Sequence, residues 1–240
     1  EEVETSAGGR AVRVLSRSPA VPGQNLMLSI DIRLQDAAEK ALAGKRGALV
    51  AIDTRNGDIL AMVSAPSFDP NLFVEGIDSE NWKLLNESID RPLLNRPLSG
   101  TYPPGSTFKP FMALAALEKG FRTASTVLRD PGYFDFGARR FMDDKIGGHG
   151  MVDMYKSIAE SCNTYYYLLG SEMGIDIISE FMAQFGFGSR TGIDLDGERT
   201  GVLPSREWKA SAFRKPELQR WYSGETISVA IGQGYNNYTP

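Results

Sequence analysis

The chain has 240 residues, a formal net charge of −4 and 42% hydrophobic residues. That is enough for one large domain or two small ones around a real core, and the absence of a basic stripe excludes a nucleic-acid binder. No apolar run reaches the roughly 18 residues of a membrane span, no secretory leader is read at the start, and the lone cysteine, Cys162, rules out an internal disulfide.

Residues 1–25 are polar and broken by Gly8, Gly9, Pro19, Pro22 and Gly23, and read as a linker or the foot of an upstream region. The run "NLMLSIDIRLQDAAEKALAG" predicts a short strand and then a helix closed by Gly44. In "GALVAIDTRNGDILAMVS" two apolar runs flank Asn56-Gly57, which predicts a β-hairpin with a type I′ turn. Residues 65–105 lack a period, carry prolines from Pro66 to Pro104 and read as ordered loop. "STFKPFMALAALEKG" predicts a helix with Pro110 in its first turn, where a missing N–H costs little. Residues 123–150 read as glycine-rich loop. "VDMYKSIAESCNTYYYLLGSEMG" reads as two helices meeting near Ser161 and Asn163, and "DIISEFMAQFGFG" as a further amphipathic helix. The mixture predicts an α+β domain, helices packed around an antiparallel sheet.

The chemistry concentrates in "PPGSTFKP", residues 103–110. A serine hydroxyl is a poor nucleophile without a neighbouring base. Positions i and i+3 share a helix face, so Lys109 can reach Ser106, and a desolvated lysine can lose its proton and serve as that base. The helix start adds a dipole and N–H groups that suit an oxyanion. A capping serine beside a solvated lysine is the bland alternative. Against it, this is the chain's only Ser-x-x-Lys, and an apolar run from Phe111 to Ala115 follows it. In "AESCNTYYY" the Ser161 hydroxyl can relay a proton and the Asn163 amide can hold an amide substrate, or both can simply cap a helix. His149 and Cys162 are the only residues of their kinds, with Asp130, Asp143 and Asp144 nearby. Imidazole, thiolate and carboxylates suit tetrahedral zinc, while a packed cysteine and a loop histidine explain the same residues without one. Tyr165 to Tyr167 read as helix packing, and Trp208 and Trp221 as core or edge packing rather than partner anchors.

Together these segments resemble the penicillin-recognising serine transpeptidases, and within them the class B branch of the cell-elongation machinery. "GALVAIDTRNGDILAMVSAPSFDPN" looks like the family's opening hairpin, "NRPLSGTYPPGSTFKPF" its active-serine segment and "GHGMVDMYKSIAESCNTYYY" its Ser-x-Asn motif; "GERTGVLPSREWK" and "TISVAIGQGYNNYTP" resemble later segments. The resemblance implies a transpeptidase domain over residues 26–240, with Ser106 the acylated nucleophile, Lys109 its general base, and Ser161 and Asn163 lining the opposite wall as catalytic and substrate-binding groups. It implies peptidoglycan stem peptides as substrates, cross-linked through an acyl-serine, and β-lactams as inhibitors. It further implies elongation-complex membrane partners including a glycosyltransferase, and a place on the periplasmic face of the inner membrane. Some relatives hold a structural zinc, for which the matching positions are Asp130, Asp143, His149 and Cys162; no cofactor is implied for the chemistry. The family's third motif, Lys-Thr-Gly or close to it, does not occur in these residues, so the domain is expected to be truncated at its C-terminal end. A D-Ala carboxypeptidase or β-lactamase-type hydrolase, and a penicillin sensor or scaffold without turnover, are the competing readings.

Overall fold

The computed structural model describes residues 2–19 and 21–240. Its largest core is helical. Helix α6 (Asn163–Ala183) runs through the middle, flanked by α4 (Lys109–Glu118) and α9 (Ser223–Val229). Met112, Ala115, Leu169, Ile178, Met182, Ile227 and Val229 are fully enclosed there. Each removes apolar surface from water at about 25 cal/mol per Å². Helices α6 and α9 touch most closely at Gly170, where an added Cβ would lie 2.4 Å from that of Ala230. Inside α6, Gly174 leaves helical geometry (φ 73°, ψ 163°), so the helix predicted over 176–188 exists as a separate segment after a kink, though it ends at Ala183.

The predicted hairpin is also present. β3 (Gly47–Ile52) pairs antiparallel with β4 (Ile59–Ala65), Leu49 opposite Val63, and α1 (Ile32–Leu42) covers one face through Ala38. Its turn is not type I′. Only Gly57 takes a positive φ (84°), its N–H bonds the Asp53 carbonyl at 2.8 Å, and the Asp53 N–H reaches Asp58. The loop is therefore four residues wide, because type I′ needs positive φ at both central residues. Asp31 caps α1 by accepting from the N–H groups of Arg33 and Leu34.

Other expectations need correction. Residues 25–30 do not form a strand. Leu26, Met27 and Leu28 are 86%, 100% and 71% exposed, and the segment is tied down only where Ser29 Oγ and the Asp31 N–H reach the carbonyls of Ile59 and Leu60. A strand needs a ladder partner, and none pairs with it among the described residues. In the segment read as a linker, β1 (Glu2–Thr5) and β2 (Ala11–Ser16) form an exposed antiparallel ribbon. The supposed loop before residue 105 contains α2 (Ser79–Glu87), capped by Asp78, and a short α3 (Arg96–Ser99). The supposed loop after residue 123 holds two ribbons, β5 (Leu128–Asp130) with β8 (Gly150–Val152), and β6 (Tyr133–Phe136) with β7 (Arg139–Met142). These elements are short and bury little, so they leave no hydrophobic period to read. Helices α5 (Met154–Ala159), α7 (Arg206–Ala212) and α8 (Pro216–Gln219) complete the chain. Among the described residues no helix is long and apolar enough to cross a membrane.

Candidate active site

Ser106 lies in a single 3₁₀ turn, Gly105–Phe108, that runs straight into α4. The prolines before it stop any earlier helix, and Phe108, fully buried, anchors the turn in the core. Ser106 is left exposed while Lys109, three residues on, is 1% exposed. The two positions are therefore a wet hydroxyl and a dry amine.

Lys109 Nζ donates to the Ser161 carbonyl at 2.6 Å, to Asn163 Oδ1 at 2.7 Å and to Ser161 Oγ at 3.0 Å. Ser161 Oγ in turn donates to Ser106 Oγ at 2.8 Å. The predicted four thus converge, but Lys109 meets Ser106 through Ser161 rather than directly. All three acceptors around Lys109 are neutral. Burial pushes its pKa below the ordinary lysine value, and the negative charges of Asp143 and Asp144 only partly oppose this. The Tyr166 ring lies 5.7 Å from Nζ, and its hydroxyl is paired with Ser157.

Ser161 sits at the break between α5 and α6 with φ +56°, a left-handed conformation that costs a serine about 1–3 kcal/mol. The Ser161 N–H to the Ile158 carbonyl, the Cys162 N–H to the Ser157 carbonyl, and Lys109 on the Ser161 carbonyl hold it there. This conformation sends Ser161 and Asn163 toward Lys109, and Cys162 and Thr164 the other way.

On that other side Asp130, Asp143, His149 and Cys162 are all buried, with one donor atom from each within 4.8 Å of the others. His149 Nδ1 is 2.7 Å from Asp130 Oδ2, and Cys162 Sγ lies 3.5 and 3.6 Å from Asp130 and Asp143. Burial raises the Asp143 carboxyl, but hydrogen bonds from Asp144 and Thr164 and the nearby His149 outweigh it and bring the pKa to about 2. Burial, with the two carboxylates, pushes the Cys162 thiol well up. Two dry carboxylates facing a thiol and an imidazole make a donor set that fits a tetrahedral divalent cation, which would reverse the thiol's preference.

Sequence reasoning missed the support beneath Ser106. The Gly105 N–H donates to the Gly232 carbonyl at 3.0 Å, and a Cβ at Gly232 would fall 2.2 Å from the Gly105 oxygen. Tyr102 and Tyr238 exchange backbone hydrogen bonds at 2.7 and 2.9 Å, and Tyr238 stacks on Phe108. The glycines of "GQGYNNY" were the available signal, since a close backbone approach requires glycine. Tyr165, Tyr166, Tyr167 and Trp221 are buried, as packing predicts.

The profile of the penicillin binding protein transpeptidase domain matches residues 47–240. The chain belongs to this transpeptidase family. The peptidoglycan D,D-transpeptidase MrdA of Acinetobacter baumannii is 48% identical over all of this chain. The structure of Pseudomonas aeruginosa PBP2 in complex with WCK 5153 superposes with a TM-score of 0.85 at 49% identity over 91% of the chain. Helicobacter pylori PBP2, solved as a complex with MreC, does so at 0.85 and 37% identity over 99%. The chain spans 35%, 49% and 44% of those three proteins respectively. Transpeptidase-family membership thus accounts for the α+β architecture.

Proposed function

We propose that this chain carries the acylating centre of a peptidoglycan D,D-transpeptidase of the cell-elongation class. The observation that carries this reading is the hydrogen-bonded path from Ser106 Oγ through Ser161 Oγ to the buried Lys109. With Lys109 neutral the hydroxyls of this path turn round, Ser106 donating to Ser161 and Ser161 to Nζ, so that Lys109 takes the proton of Ser161, which takes that of Ser106 as its Oγ attacks the carbonyl carbon of the penultimate D-Ala of a stem peptide. The Ser106 N–H, at the positive end of α4, faces the developing oxyanion. The carbon–nitrogen bond to terminal D-Ala then breaks, and the departing amine recovers the proton along the same path. An amine of a second stem peptide attacks the ester, forms the cross-link and restores Ser106. Asn163, with Oδ1 held by Lys109, keeps its amide nitrogen for a substrate carbonyl. A β-lactam reacts as the D-Ala-D-Ala end does, but its opened ring stays attached.

Asp130, Asp143, His149 and Cys162 are the residues that would hold a zinc ion. Bound there, it supplies a structural cross-link between the 130–149 ribbons and the start of α6, and no chemical step needs it. We place the chain at the periplasmic face of the inner membrane, with elongation partners of the kind seen in the H. pylori complex, and a glycosyltransferase that supplies the strands to be joined.

Intact-mass spectrometry with benzylpenicillin, beside Ser106→Ala, tests the acyl chemistry. One adduct per chain, lost in the variant, is expected; no adduct on the wild-type protein would overturn the reading. Incubation with stem peptides then separates the alternatives. Released D-Ala with cross-linked product marks the transpeptidase, release without need of an acceptor a hydrolase, and an adduct without turnover a sensor.

A further inference from the structure

A second buried polar assembly, outside the site described above, lies around Lys209 in the middle of α7. Lys209 is 3% exposed. Its Nζ donates to Glu225 Oε1 at 2.5 Å and to the Arg220 carbonyl at 2.8 Å, and the rings of Tyr222, Tyr235 and Trp221 enclose it at 5.3, 5.5 and 5.7 Å. A buried ammonium in an aromatic cage is held by its partner carboxylate and by the ring faces. Glu225 is used three ways. Its Oε2 accepts the Tyr222 N–H at 2.9 Å and caps α9, and its Oε1 also accepts the Tyr235 hydroxyl at 3.0 Å.

Tyr222 and Tyr235 flank the segment that contains α9 and the Gly232 turn, so a single carboxylate fixes both ends of that segment. The middle of the segment is what the nucleophile rests on. The Gly232 carbonyl holds the Gly105 N–H, and its backbone approaches Gly105 too closely for any side chain. Just beyond, Asn236 Nδ2 donates to the Val229 carbonyl, the Tyr238 hydroxyl donates to Asn236, and the Tyr238 ring lies against Phe108.

We infer that Lys209 and Glu225 are positioning residues for acylation of Ser106: their buried ion pair locks the Gly232 turn, and through it the Gly105–Phe108 turn, in the reactive geometry. This rests on Ser106 being the acylated serine. Neither residue touches the substrate. Reacting groups must be held to within a fraction of an ångström, and misplacement by about 1 Å can cost on the order of 10²-fold in rate.

The test is stopped-flow acylation of the full-length protein by a fluorescent penicillin, with binding (Ks) resolved from the chemical step (k2). Lys209→Met, Glu225→Gln and the double variant are compared, and rates are normalised to folded protein by circular dichroism. The expected result is a fall in k2 of about tenfold or more in each single variant with Ks within about twofold. The double variant should lose no more than the worse single, because both break one lock. Tyr235→Phe, which removes only one of the Glu225 bonds, should show a smaller fall of the same kind and keeps the test open if a charge variant does not fold. A lowered melting temperature with unchanged k2 would overturn the inference and leave the pair a purely structural one. A wild-type protein that is never acylated would instead overturn the reading on which the inference rests.

Discussion

Two buried polar clusters lie back to back across residues 161–164, and they are electrical opposites. On one side a single amine, Lys109, is surrounded by neutral acceptors from Ser161 and Asn163. On the other, the carboxylates of Asp130 and Asp143 face the thiol, the imidazole and backbone N–H groups. Alternate residues of one strained segment serve the two. The difference teaches how burial is put to use. An amine with no carboxylate in contact is driven toward its neutral, basic form, which is what a serine nucleophile needs. Carboxylates with no Lys or Arg in contact hold their charge through hydrogen bonds and the neighbouring imidazole, which is the condition a metal relieves.

The comparison breaks first at Lys109. Lys109→Met should lower the acylation rate by about 10²–10⁴, the usual worth of a general base, and a fall below tenfold in a stopped-flow assay would show that the amine is not the base. Ser161→Ala should cost about 10² in the same assay; near-wild-type acylation would mean that the proton passes straight from Ser106 to Lys109. The pH profile follows from the direction of the Lys109 shift. The neutral amine is the active form and burial lowers its pKa, so k2 should rise with pH and level off below lysine's ordinary 10.5. That rise should vanish in Lys109→Met.

On the acidic side the effect should appear in stability. Protein purified without added zinc should contain about one zinc per chain, and Cys162→Ser should lose most of it. Its melting temperature should fall by roughly 5 °C, at about 2–4 °C per kcal/mol for a domain of this size. A metal content unchanged in Cys162→Ser would sink the zinc reading. Arg13→Ala, in the exposed β1–β2 ribbon, sets the floor: its loss should stay within about 0.5 kcal/mol by denaturant unfolding, because exposed ion pairs contribute little.

The features legible in the sequence were those with a local signature. Ser106 and Lys109 were readable because the prolines, the spacing and the apolar run sit in one window, and the β3–β4 hairpin because Asn56-Gly57 separates two apolar runs. Ser161 and Asn163 were readable as a break between helices. The bridging role of Ser161 was not, because it depends on a positive φ that the tertiary contact of Lys109 helps to hold. Gly232 beneath Gly105 joins residues more than a hundred positions apart, and no local pattern encodes such a meeting. The ribbons β5 to β8 were hidden because strands of three or four residues carry too few side chains to show an alternation. Residues 25–30 erred the other way: Leu26, Met27, Leu28 and Ile30 make an apolar stretch, yet no strand among the described residues pairs with it.

The contact between Gly170 and Ala230 has a consequence for how the support of Ser106 can change. Helix α9 is seated against α6 only because residue 170 lacks a methyl group, and α9 ends at the turn that supports Gly105. Gly170→Ala drives a wedge between the two helices, with a strain of about 1–3 kcal/mol that must be relieved by moving α9 or its neighbours. One methyl group about two helical turns from Asn163 would therefore shift the support under Ser106. Ser106, Lys109, Ser161 and Asn163 themselves would stay as they were.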